Sequence, residues 1–216
     1  MVVFQIDTNE EQISKILKQL DGDAERALKN AINATARKVK KDMAKTAEKK
    51  YDYEAGGTLI NEMKMNTAKK VAYGSMAAEI SSKGPAIEIK KFSVDNLSVT
   101  KGKNRPDAVR GKVMTESGMS ALKRNGVKAF VAQFRSGHIS VVAREKLTSG
   151  QQSRGHHSGN RYKYASYRLK KLLSPSVPQM LGNKKTVNEI IEPEIQSLLQ
   201  KNLERQLNMI MKKKAV

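Results

Sequence analysis

Residues 186–213 read TVNEIIEPEIQSLLQKNLERQLNMIMKK, and this stretch sets the architecture expected for the chain. Its apolar residues recur every three or four positions, which is the period of an amphipathic α-helix. At ~1.5 Å per residue such a helix is roughly 40 Å long. Pro193 falls in an early turn, where it either kinks the helix or marks its start. The apolar stripe is predicted either to pack inside the chain or to form an oligomer contact, and its members are Ile191, Ile195, Leu198, Leu199, Leu203 and Leu207.

A second long helix is predicted over residues 24–49, after a break at Asp21-Gly22-Asp23. Its apolar stripe is rich in small residues, as in ALKNAINATA at 27–36, so this helix can lie close against a sheet. A shorter helix is predicted over 10–20, and one or two helical turns over 58–65.

Strands are predicted between the two long helices. Residues 130–134 and 139–144 read as a hairpin with its turn at Ser136-Gly137. Alternation of apolar and polar residues indicates further strands at 77–81 and 86–94. The remaining predicted strands are 2–6, 109–115 and an edge strand at 169–177 that Pro175 and Pro178 end.

Together these patterns predict an α+β fold, with a small, mainly antiparallel sheet packed against the two long helices. A length of 216 residues suits a single domain. Within it we expect a helical part at 1–75, a strand-rich basic part at 77–180 and the C-terminal helix at 186–213.

The positive charge of the chain is concentrated in residues 117–188. This block holds 14 Lys and Arg against a single acid, Glu145, and so carries net +13 of the whole-chain +20. A localised basic face indicates a polyanionic partner more than general solubility. Solvated lysines that merely keep the chain soluble are the alternative.

Six cations of this block are candidate contacts to a polyanion or to an acidic neighbouring protein ring: Arg154, Arg161, Lys163, Arg168, Lys170 and Lys171. They could neutralise a nucleic-acid backbone without reading sequence, or dock basic loops on an acidic protein. Tyr162, Tyr164 and Tyr167 alternate with them and either stack on bases or close a modest core. The Gly/Ser-rich loop at 148–160 is expected to be functional or disordered.

No catalytic, cofactor-binding or metal-binding motif is recognised. The chain has no cysteine, and its three histidines are His138, His156 and His157. His138 is expected to be solvent-exposed in its hairpin turn, and Glu145 and Glu116 are the nearest acids in sequence. A zinc site therefore lacks ligands, and a Ser-His-Asp arrangement lacks an oriented base. We expect a protein that is not an enzyme and that needs no cofactor.

The N-terminus lacks the basic and apolar regions of a secretory signal, and no stretch approaches the ~20 apolar residues that span a bilayer. These features favour a soluble protein made in the cytoplasm that does not bind membranes.

The order of motifs resembles the minor tail protein Z family of long-tailed bacteriophages and prophages. The Ala-rich helix at 27–36 is followed by Gly84, Ile87 and Ile89 and then by AFVAQFRSGH at 129–138 with VVAR at 141–144. GNRY at 159–162, SVP at 176–178 and a terminal helix ending QLNMIMK at 206–212 complete the likeness, which covers most of the chain. The insert at 148–159 and the longer N-terminal helix and turn depart from the family pattern.

The resemblance implies a structural virion protein that acts in tail completion, at the end of the tail that joins the filled head. It also implies a compact α+β subunit in a homo-oligomeric ring that contacts other tail and neck proteins. The expected location is the virion tail, after assembly in the host cytoplasm. A stand-alone basic protein that binds nucleic acid without sequence specificity is the alternative, because the charge block suits either one.

Overall fold

A computed structural model of the chain describes residues 2–7, 23–54, 59–70, 76–100, 104–147 and 167–214. The fold mixes helix and strand as predicted, with a long helix in the N-terminal half, another at the C-terminus, and small antiparallel sheets. Two compact units are formed from separate stretches of sequence. The helix unit is Met1–Lys50, Gly56–Pro85 and Pro175–Val216, and the hairpin unit is Tyr51–Ala55 and Ala86–Ser174. The organisation of residues 1–216 as one domain stays a prediction.

The helix unit is built on a three-stranded antiparallel sheet. Strands β1 (Val2–Asp7), β2 (Met63–Lys70) and β3 (Met76–Ser82) have the order β1–β3–β2. Alternate residues of β3 are buried, as expected for a strand with one face against a core. Helix α1 (Asp23–Lys50) packs on β2 and β3. Small side chains allow this close approach, and the buried ones include Ala27, Ala31, Ala36, Ala44 and Ala47.

The side-chain amide of Asn33 on α1 binds a backbone N–H at a bulge in the sheet. The pairing of β2 with β3 shifts register between Asn66 and Lys69, which removes Ala68 from the regular ladder. The backbone N–H of Ala68 donates instead to Oδ1 of the buried Asn33, at 2.8 Å. A buried N–H without a partner is costly, so this side chain stabilises the bulge.

The C-terminal segment returns to the helix unit through two helices. Ser176 caps the short helix α2 (Val177–Leu181) in a capping box with Gln179. One π-helical turn (Lys184–Asn188) then leads into α3 (Glu189–Lys214), which packs along α1. Asn202 Nδ2 donates to the hydroxyl of the buried Thr35 at 3.0 Å and fixes the alignment of the two helices.

Within its described residues, the hairpin unit contains four small antiparallel sheets. Its main sheet has the order β11–β10–β9, from β9 (Phe130–Gln133), β10 (Ile139–Lys146) and β11 (Tyr167–Lys171). Shorter pairs complete the unit. They join β4 (Ile87–Glu88) to β12 (Leu173–Ser174), β5 (Arg110–Gly111) to β6 (Ser120–Ala121), and β7 (Lys123–Arg124) to β8 (Val127–Lys128).

The predicted hairpin at 130–144 is present, and Gly137 takes a φ of +82° in its turn. A second hairpin turns at Asn125-Gly126, where φ is +48° and +76°. Positive φ at both central residues is the geometry that Asn-Gly favours in tight hairpins. This hairpin had no counterpart among the predicted elements, although its dipeptide is a strong signal.

Several predicted boundaries were wrong. The strand expected at 86–94 is only β4 followed by a 3₁₀ turn (Ile89–Lys91), because Ile89 and Phe92, three residues apart, both enter the core. Of 58–65, only Leu59–Glu62 is helical, and β2 begins at Met63. Of 109–115, only Arg110 and Gly111 form a strand. The strand expected at 169–177 begins at Tyr167, is interrupted at the buried Leu172 and ends at Ser174.

The strands expected from 77 to 177 do not form one sheet. β3 belongs to the sheet that supports α1, while the strands from β4 onward form separate small pairings. The helix predicted at 10–20 and the loop at 148–160 lie outside the described residues.

Candidate polyanion-binding surface

Three of the six predicted cationic contacts lie together on one edge strand. Arg168, Lys170 and Lys171 belong to β11, at the edge of the sheet next to β10. Arg154, Arg161 and Lys163, with Tyr162 and Tyr164, lie outside the described residues. In sequence, these five residues lie between β10 and β11. Three of the six candidate cations are therefore on β11 and three are in the connection that precedes it.

Arg168 is ion-paired within the chain. It lies opposite Glu145 in the pairing of β10 with β11, and its Nε donates to Glu145 Oε2 at 2.5 Å. Arg124 lies 3.6 Å from the other carboxylate oxygen. The hydrogen bond from Arg168 lowers the pKa of Glu145, with further electrostatic contributions from Lys170 and Arg124. The one acid of the basic block is therefore already surrounded by cations, and Arg168 is not an unpaired charge.

Lys171 forms part of a polar cluster around Glu88. Its Nζ donates to Glu88 Oε1 at 2.6 Å, and the Ser140 hydroxyl donates to Oε2 at 2.8 Å. His138 Nε2 lies 3.0 Å from Oε2. Desolvation by burial raises the pKa of Glu88, but the hydrogen bonds from Lys171, Ser140 and His138 outweigh it and lower the pKa to about 2. Glu88 is thus a carboxylate at any physiological pH.

His138 is more enclosed than its turn position predicted. Its side chain is 37% exposed and contacts Glu88, which is 50 positions away in sequence. Lys90 Nζ lies 3.4 Å from Nδ1 and donates to the carbonyl of Ile139 at 2.7 Å. With its proton on Nε2, the ring donates to Glu88 and accepts from Lys90 at Nδ1. Lys171 Nζ also lies 3.2 Å from Nε2, so both of these cations border the ring.

The cluster does not have the geometry of a serine nucleophile. In such a site histidine contacts the serine and the acid orients the histidine. Here Ser140 and His138 both donate to the same carboxylate, and Ser140 is fully buried. Within the described part of the chain, no three His, Cys, Asp or Glu side chains come together in a way that would hold a metal ion.

Another group of cations lies around Phe130. The Arg105 guanidinium carbon is 4.5 Å from the ring centroid of Phe130, and that of Arg144 is 5.6 Å from it. Phe130 pairs with Val142 across β9 and β10, so Arg144 and Lys146, two and four positions further, share its face. We define the arginine strip as Arg105, Phe130, Arg144, Lys146, Tyr167 and Leu169.

The arginine strip continues onto β11. Leu169 lies opposite Arg144 and Tyr167 opposite Lys146, and these two side chains are 46% and 54% exposed. Among the described residues, no carboxylate forms an ion pair with Arg105, Arg144 or Lys146. Arg105 and Arg144 were not among the sequence candidates. The sequence of the loop containing Arg105 does not indicate that this loop meets β9.

The apolar stripe of α3 is partly accounted for by packing within the chain. Ile191, Ile195 and Leu199 are buried, while Leu198, Leu203 and Leu207 are half-buried. The N-terminal half of the stripe therefore belongs to the core of the helix unit. None of the helices in the described ranges has the length and apolar character required to cross a bilayer.

Comparison of the chain with protein-family models, with curated proteins and with solved structures finds no match.

Proposed function

We propose that this chain is a structural protein of a bacteriophage or prophage tail, acting in tail completion at the head-proximal end as part of a ring. The observation that carries the proposal is the order of elements. The Ala-rich α1, the β9–β10 hairpin, the Ser176 helix cap and the long α3 follow one another as in the family that the sequence resembles.

The local structure of the motifs supports this assignment. AFVAQFRSGH spans β9 and its turn, and VVAR lies on β10, where Val141, Val142 and Ala143 are buried. SVP contains the capping residue and the first turn of α2. Three of the stretches that carry the resemblance are therefore defined structural elements, as expected of residues that specify a fold.

The surface chemistry supports a binding role, not a catalytic one. The polar cluster around Glu88 is internally paired, and its serine is buried. The three cations of the arginine strip, Arg105, Arg144 and Lys146, are exposed. Such a surface suits DNA passing through a tail channel or an acidic neighbouring ring. We accordingly propose that the protein is not an enzyme and that it resides in the virion after assembly in the host cytoplasm.

Electron microscopy of a lysate made without this gene tests the proposal. Full heads beside unattached tails of normal length are the expected result, and a plasmid copy of the gene should restore joined particles. Intact, infectious particles in the absence of the gene would overturn it.

A stand-alone protein that binds nucleic acid non-specifically is the second candidate, favoured by the arginines around Phe130 and the exposed Tyr167. It predicts salt-dependent binding of free DNA together with normal particle assembly in the deletion lysate. The same lysate therefore separates the two candidates.

A further inference from the structure

We propose that the arginine strip is a binding site for the phosphate backbone of duplex DNA, with Arg105 and Arg144 as its main contacts. This assignment deepens the proposed function, on which it rests for the choice of duplex DNA as the partner. It selects residues that differ from the six cations singled out by charge density.

The site is pre-organised by Phe130. A guanidinium within ~6 Å of an aromatic centroid is attracted by the ring, and Phe130 holds two of them at 4.5 and 5.6 Å. Nε of Arg105 also donates to the carbonyl of Thr100 at 3.2 Å, which further restricts that side chain. Less conformational entropy is then lost when an anion binds than for lysines free in solvent.

Among the residues that the structure describes, the charges of the strip have no counterion. Arg168 and Lys171 on β11 form ion pairs with Glu145 and Glu88. Arg105, Arg144 and Lys146 are exposed and have no carboxylate partner within the described residues. Two like charges held on one ring repel each other, and an anion that bridges them relieves this repulsion.

The chemistry favours phosphate over an acidic protein surface. Guanidinium groups bind phosphate through paired N–H donors, and the neighbouring Tyr167 adds a hydroxyl donor. The sequence of the connecting residues 148–166 contains Arg154, Arg161 and Lys163 and no Asp or Glu, so it adds positive charge next to β11 in the chain.

Fluorescence anisotropy of the full-length chain with a short labelled DNA duplex, at salt concentrations between roughly 50 and 200 mM, tests the site. The R105Q/R144Q variant should lower the magnitude of the log–log salt slope by about 2, one for each lost phosphate contact. R26Q/R205Q is the matched control. It removes two exposed arginines from the helix unit and should keep the wild-type slope. Circular dichroism of both variants serves as the check that they fold.

Equal loss of slope in the two double variants would overturn the site, because net charge alone would then explain binding. Wild-type protein that shows no salt-dependent duplex binding would also overturn it and would point to an acidic protein as the partner. Neither result bears on particle assembly in the deletion lysate, so failure of this site and failure of the proposed function are distinguishable.

Discussion

The helix unit and the hairpin unit differ in the charge of the polar side chains that hold their elements together. In the helix unit the buried polar side chains are neutral, such as Asn33 on a backbone N–H and Thr35 between the two long helices. In the hairpin unit the half-buried carboxylate of Glu88 contacts two lysines and a histidine. Apolar packing thus dominates the first unit, whereas a network of charges links distant parts of the second.

The two units should therefore respond to different perturbations. A carboxylate placed in the helix core should destabilise that unit at neutral pH, whatever the salt concentration. A change in the Glu88 network should produce a pH-dependent loss in the hairpin unit. Hydrogen exchange followed by mass spectrometry resolves the two responses, since it reports local opening along the chain.

The largest effect is expected from Leu199→Asp. Leu199 is buried on the α3 stripe, and a buried carboxylate without a partner costs at least about 3 kcal/mol. We expect loss of the folded helix unit, measured by urea denaturation, with faster exchange across residues 27–47. Gln196→Asp on the exposed side of the same helix is the control. Wild-type stability of Leu199→Asp would show that α3 does not pack on α1 as described.

The half-buried Leu203 refines this test. Leu203→Asp should destabilise the helix unit less than Leu199→Asp, because its carboxylate stays closer to water. The opposite order would place the face of α3 that packs on α1 one turn further along.

A smaller but pH-dependent effect is expected from Glu88→Gln. The folded-state pKa of about 2 lies below the ordinary 4.5, so the carboxylate stabilises the fold above pH 4.5, and this contribution is lost as the pH falls towards 2. The difference between these two pKa values sets an upper limit of roughly 3 kcal/mol at neutral pH. The variant should lose that stability at pH 7 and show a flatter stability profile between pH 4.5 and 2.

Asp107→Asn is the matched control for Glu88→Gln. Asp107 also pairs with a lysine, Lys128, but its side chain is 91% exposed. A surface ion pair contributes little, so this variant should unfold like the wild type. If the two variants lost the same stability at pH 7, partial burial would not explain why the Glu88 ion pairs stabilise the fold.

The smallest of these effects is expected from Ser176→Ala, which removes the cap of α2. Loss of a helix N-cap costs about 1 kcal/mol, and Ser176 both caps the helix and belongs to the capping box with Gln179. Urea denaturation should show this loss, without the acid dependence of Glu88→Gln. Ser197→Ala, on the exposed side of α3, should leave stability unchanged.

The same contrast explains what could be predicted from the sequence. α1 and α3 were predicted to within a few residues, because their periodicity is local. The hairpin at Gly137 was also predicted, since its strands are adjacent in sequence. The Asn125-Gly126 hairpin was missed although its signal is equally local.

Long-range pairings could not be predicted. Lys171 contacts Glu88, which is 83 positions away in sequence, and no local sequence pattern predicts a contact over that distance. Arg105 meets Phe130 only because a polar loop folds back on β9, so the candidate cations were chosen by charge density alone. The alternation of apolar and charged residues at 87–90 predicted a strand. In the structure a 3₁₀ turn at Ile89–Lys91 brings Ile89 and Phe92 into the core, so tertiary packing overrides the local pattern.

Mass spectrometry and cryo-electron microscopy of purified particles test the central proposal most directly. The proposal predicts several copies of this chain per particle, arranged as a ring at the head-proximal end of the tail. Joined, infectious particles that contain no copy of the chain would contradict it.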